Sequence, residues 1–142
     1  MKTYPSDDGS VVLVSLERGE DLLDGLARAI DELGFETASI ELIGGLDEAV
    51  VGYYDRGSKE YRPITATHVE IASGLGNVSL RDGRPFVHLH LVVSGADGSA
   101  LGGHALEGCL AFIVEAVIRP FKGAAPTRRE QPDIRLSVWP AR

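Results

Sequence analysis

Cysteine is nearly absent from this chain of 142 residues: Cys109 stands alone. No internal disulfide can form, which fits a reducing compartment and makes the cytoplasm the expected location. Its setting, GCLAFIVEA, is apolar, so Cys109 is read as a buried core thiol. Long hydrophobic runs are also missing. No stretch of about 18 apolar residues occurs, so no membrane span is expected. The opening MKTYPSDDGS lacks the charged-then-apolar pattern of a signal peptide. Basic charge is in deficit as well: 14 Lys and Arg against 21 Asp and Glu leave a formal net charge of −7. Nucleic-acid binders draw much of their affinity from a basic face that neutralises phosphate, so DNA is disfavoured as a partner. The best local basic candidate, APTRREQPDIR with Arg128, Arg129 and Arg135, reads as a solvated segment.

What is present fits one soluble domain spanning residues 1–142, with its core at about 10–121. The pattern RGEDLLDGLARAIDELG (18–34) predicts the one clear helix. Leu22, Leu26, Ile30 and Leu33 share a face, Glu20 and Asp21 load its first turn with negative charge, and Gly34 follows where a helix often stops. Strands are expected at 10–17, at 36–45 and 48–55 around a glycine turn, and at 110–121. Three more are expected within 67–94, broken at Gly74-Leu75-Gly76-Asn77 and at Asp82-Gly83. Residues 122–132 read as a loop and 133–139 as a short closing strand. The expected fold class is α+β: a mostly antiparallel sheet with one main helix packed on it.

Three of the four histidines lie in RPFVHLHLVVSGADGSALGGHALEG (84–108). In a strand, Phe86, His88, His90 and Val92 take one face, and Val87, Leu89, Leu91 and Val93 the other, more apolar face. His88 and His90 then project side by side, roughly 7 Å apart at Cα. The turn-rich SGADGSALGG can fold the chain back to bring in His104, and Gly102 and Gly103 permit close backbone approach. Three neutral imidazoles suit zinc, or less selectively another divalent metal, and leave a fourth position open for water or substrate. The competing reading makes the pair ordinary polar residues alternating with a core face. Glu107, three residues past His104, is the one weak candidate for a catalytic role, as a proton acceptor or as support for a ligand. His68 has no partner by spacing and reads as a surface residue or one making an ordinary hydrogen bond. GLGN (74–77) lacks a following helix and reads as a turn, not a phosphate loop. Tyr53, Tyr54 and Tyr61 read as amphipathic edge cover.

The segments GEDLLDGLARAIDELG, IGGLDEAVVGYYD, VEIASGLGNVSLRDGRPFVHLHLVVSGADGSALGGHALEG and VEAVI, in this order, resemble the PPC (plants and prokaryotes conserved) domain family. The resemblance spans about residues 10–120, and its most specific part is the H-L-H…D-G…G-G-H string. It implies a compact α+β fold like that of acetolactate decarboxylase, an enzyme with a three-histidine zinc site, and assembly as a homotrimer. His88, His90 and His104 match the family pattern residue by residue, and the likeness to acetolactate decarboxylase points to them as ligands of a metal. Plant members join this domain to AT-hooks, whose Arg-Gly-Arg-Pro core is replaced here by DGRP at 82–85, so the DNA-contacting element is missing. The apolar run LAFIVEAVI, with Leu110, Phe112, Val114 and Ala116 expected on one face, gives a trimer its rationale, since both faces need cover. Glu115 within it is expected to be paired or near the site. Three functions therefore compete: a trimeric metal-binding domain, a DNA-binding or regulatory protein acting through the trimer, and an oligomerisation module without chemistry.

Overall fold

The computed structural model describes residues 1–140. Helix α1 (Leu22–Leu33) forms where the apolar period predicts it, burying Leu22, Gly25, Leu26, Ala29 and Ile30. Asp21 caps it: its Oδ1 accepts the Leu23 and Asp24 amides at 2.9 and 3.1 Å. Its Oδ2 accepts the Gly108 amide at 2.8 Å, tying the helix start to a turn 87 residues away. Gly34 ends the helix in the left-handed region, φ 72°, as its lack of a Cβ permits.

Seven strands form one antiparallel sheet: β1 (Lys2–Pro5), β2 (Val12–Leu16), β3 (Ala38–Asp55), β4 (Glu60–Arg81), β5 (Arg84–Ser94), β6 (Ala100–Ala105) and β7 (Leu110–Pro120), in the order β1-β2-β7-β3-β4-β5-β6. β6 also pairs with β3, Val51 opposite Ala105 and Gly52 opposite His104, so β3 to β6 close on themselves. α1 packs against β2, β5 and β7, and the buried Val14, Leu16, Leu89, Leu91, Val114 and Ile118 fill the space beneath it. The expected α+β class with one helix on an antiparallel sheet is what the chain adopts.

Several boundaries differ from the sequence expectation, each for a local reason. The strands expected at 36–45 and 48–55 are one strand, β3, because Gly44 makes a bulge and not a turn. Its φ is 133°, the register with β4 shifts between Leu42 and Gly44, and a Cβ there would collide with the Ile113 carbonyl. GLGN does not break β4: Gly74 and Gly76 lie within it, packed against the Leu42 side chain and the His88 carbonyl. Asp82-Gly83 does turn the chain, both residues at positive φ (53° and 76°), as a primed two-residue hairpin needs. The β7 face assignment fails at a second bulge, where the β3 register skips Phe112. Leu110, Phe112 and Ile113 are exposed while Ala111, Val114, Ala116 and Ile118 are buried. Glu115 is exposed and lies away from the histidines, lining a groove with Tyr4, Leu13, Ile43 and Leu75. The C-terminal strand closes only a small hairpin: β8 (Arg129–Gln131) falls inside the expected loop and pairs with β9 (Leu136–Val138). β1 had no strong apolar signal and pairs along β2 in the register Lys2 to Ser15.

Because Asp21 serves both the helix start and the 106–109 turn, Asp21→Ala is expected to destabilise the chain by about 2 kcal/mol in urea unfolding. Asp21→Asn should lose less; equal losses would argue against the cap.

Candidate metal centre

β5 alternates as its pattern requires. Leu89, Leu91 and Val93 are buried at 0–1% exposure, and His88 and His90 point from the other face. The 95–99 turn, closed by the Gly95 amide on the Ser99 carbonyl, folds β6 back along β5 and puts His104 directly opposite His90. GGHALEG is therefore strand through Ala105, followed by a turn at 106–109. Gly103 has the role expected of it: a Cβ there would sit 2.7 Å from the Gly52 carbonyl, so only glycine lets β6 approach β3 here. The three rings form a near-equilateral group, with centroids 5.2 Å (His88–His90), 5.1 Å (His88–His104) and 5.4 Å (His90–His104) apart. One nitrogen from each lies within 4.8 Å of the others.

The surroundings keep His88 and His104 neutral and oriented. His88 and His104 are half-buried and His90 is exposed. Burial, reinforced by the neighbouring rings and Arg128, pushes the His88 and His104 pKa values down to about 4. Tyr61 stacks on His104 with centroids 4.9 Å apart and planes at 22°, and Tyr54 packs edge-on against Tyr61. His104 Nδ1 is buried with no hydrogen-bond partner, an unmet lone pair or N–H of the kind a ligand resolves. Arg128 Nη2 lies 3.2 Å from His88 Nδ1. A guanidinium only donates, so that nitrogen faces it as an acceptor and Nε2 carries the proton of the neutral ring. Taking up an ion through Nε2 then releases that proton or breaks the Arg128 contact.

The other candidates fall elsewhere. Glu107 is exposed in the 106–109 turn and is not in the histidine cluster. His68 is exposed on β4 at φ 52°. Cys109 is buried, its Sγ 3.3 Å from the Val50 amide and carbonyl, and burial raises its pKa, so it is structural. Arg129 and Arg135 are exposed as expected, but Arg128 is buried at 9% exposure, and reading it as solvated was wrong. Tyr61 and Arg128 were both missed as site residues. Tyr61 carries only the weak signal of an aromatic cluster, and Arg128 reaches the site across 40 residues of chain with no local signal.

Since an unfolded imidazole titrates near 6.5, the unfolded chain takes up protons before folded His88 and His104 do. Metal-free protein should hold its melting temperature constant above about pH 7 and lose it as pH falls from 6.5 toward 4. The carboxylates Asp8 and Glu20, depressed to about 2 by hydrogen bonds and charge, add their own loss only below about pH 4.5. A His88→Asn, His104→Asn double variant should flatten the upper part of the curve; parallel wild-type and variant curves between pH 6.5 and 5 would refute the assignment.

The family model described as the Plants and Prokaryotes Conserved (PCC) domain matches residues 5–122. A metal-containing protein from Archaeoglobus fulgidus is similar at 35% identity, with 99% of this chain and 100% of that chain covered and a TM-score of 0.87. A protein from Ralstonia eutropha, described as a proposed DNA-binding protein, is 27% identical, with 96% and 94% covered and a TM-score of 0.85. Acetolactate decarboxylase from Bacillus subtilis shares the fold, with a TM-score of 0.59 at 14% identity over 92% of this chain and 59% of that one. Among curated proteins, the HTH-type transcriptional regulator BetI of Pseudomonas fluorescens is 29% identical over 113 residues, 72% of this chain. The chain spans about half the length, 56%, of that relative.

Proposed function

We propose that this chain, which belongs to the Plants and Prokaryotes Conserved domain family, is a homotrimeric protein whose His88, His90 and His104 hold one divalent ion, zinc in preference. The observation that carries this reading is the convergence of three ring nitrogens within 4.8 Å on one sheet face. The unpartnered Nδ1 of His104 supports it, as does the metal-containing description of the Archaeoglobus relative. Three imidazoles, with His88 and His104 held neutral at pH 7, are the donor set zinc accepts, and they leave one position open. Bound there, zinc supplies Lewis acidity toward a small carbonyl or carboxylate ligand and lowers the pKa of a bound water. The chain's own part is orientation: Tyr61 holds the His104 ring.

The trimer reading rests on an uncovered apolar face. Tyr4, Leu13, Ile43, Leu75 and Val92 are 42–60% exposed, more than scattered surface residues explain. Leu13 is register partner of Val117, Val117 of Glu41, Glu41 of Leu75, and Leu75 of His90. Paired residues share a face, so this row runs straight into the histidines. A second reading, DNA binding, draws on the description of the Ralstonia relative. It would require binding that weakens steeply with salt, and the net charge of −7 weighs against it. A module without chemistry is the third.

Elemental analysis of protein made without a histidine tag should find about one zinc per chain, and none in a His88→Ala, His90→Ala double variant. No metal after zinc supplementation would leave the scaffold reading. Light scattering should give three times the chain mass of 15.2 kDa, falling toward one in a Leu13→Lys, Ile43→Lys double variant. A wild-type mass of one chain would exclude the trimer.

A further inference from the structure

Arg128 is a buried cation with no anion beside it among the described residues. The residue is 9% exposed, and the partners of its guanidinium are all neutral: Ser79 Oγ at 2.8 Å from Nε, the Ser137 carbonyl at 3.2 Å from Nη1, and Asn77 Oδ1 and His88 Nδ1 at 2.9 and 3.2 Å from Nη2. Among the described residues no carboxylate lies within ion-pair distance of it. A second cation, Arg81, stands near enough to oppose its charge. Burying a charge without a counter-charge is costly, and four neutral hydrogen bonds offset only part of that. Folds keep such a group where a ligand completes it. Those four bonds use four of the five N–H groups, and one on Nη1 has no partner among them.

The position matters more than the burial. Asn77, which holds the guanidinium, is the register partner of His88, and the guanidinium touches the His88 ring itself. It therefore stands at the edge of the histidine group. An ion held there would add further positive charge to a wall that already carries Arg128 and Arg81, with Glu107 turned out to solvent. The aromatic rings of Phe86 and Trp139, each 5.4 Å from the guanidinium carbon, crowd the space around it. Should metal uptake break the His88 contact, Nη2 gains a free N–H beside the one on Nη1, a fork that fits a carboxylate.

We propose that Arg128 is the recognition residue for a small carboxylate bound beside the histidine centre. This rests on the metal reading for its setting, but the guanidinium attracts the anion whether or not the metal is present. Pyruvate serves as the probe, with inorganic phosphate as the comparison, and both are titrated into zinc-loaded and metal-free protein. Calorimetry gives the affinity, and the fluorescence of Trp139, the one tryptophan in the chain, reports arrival near Arg128. The expected result is pyruvate binding with a change in Trp139 emission, weakened at least tenfold in both Arg128→Gln and the charge-preserving Arg128→Lys. Zinc content of each variant is measured before titration, so that a lost ion is not read as a lost anion site. Circular dichroism checks that each variant is folded. If neither variant folds, the wild-type titration still decides: no heat and no Trp139 change overturns the proposal. Unchanged pyruvate affinity in a folded variant, or Arg128-dependent preference for phosphate, also overturns the carboxylate assignment. Zinc uptake without Arg128-dependent pyruvate binding would leave the metal centre and remove this site. The reverse pattern would do the opposite.

Discussion

The register between β5 and β6 is the constraint on which the site depends. It places His104 opposite His90, and strand alternation then fixes His88 as the third member. A slip of one residue would turn His104 to the other face and move Leu101 and Ala105 with it. Three features hold the register: the short 95–99 turn, the burial of Ala105 beside Val51, and the close contact of Gly103 with the Gly52 carbonyl. The last is a steric requirement. Any side chain at 103 would push β6 off β3 and carry His104 with it.

The same sheet face serves two purposes. Its inner counterpart is covered by α1, with Leu22, Leu26 and Ile30 fully buried against the strands. The outer face carries the histidines at one end and an apolar row at the other, joined through Leu75 and His90. Chemistry and assembly would therefore lie side by side. Arg128, arriving from outside the main sheet just before the small C-terminal hairpin, completes the wall beside His88. Imidazole rings next to a guanidinium with no carboxylate partner among the described residues make a place that attracts a metal through lone pairs and an anion through charge.

Much of the fold was legible in the sequence because its strongest signals are periodic. The helix from Leu22, its stop at Gly34, the Asp82-Gly83 hairpin and the facing of His88 and His90 all follow from local spacing. The errors came where glycine has more than one use. Gly44 bulges a strand and Gly74 and Gly76 admit neighbours, and none of them turns the chain; composition alone does not separate these roles. The β7 faces failed because a bulge at Phe112 resets the alternation, and a bulge is set by the partner strand. Arg128 was illegible for the same reason: its burial is fixed by Asn77, Ser79 and His88, 40 to 51 residues earlier.

The central claim is that His88, His90 and His104 close on one ion. Crystals grown with zinc, measured on both sides of the zinc absorption edge, test it most directly. The account predicts one anomalous peak per chain, within bonding distance of a nitrogen from each of the three rings. Full-length protein crystallised with zinc that shows no peak among these rings, or a peak held by other residues, would contradict it.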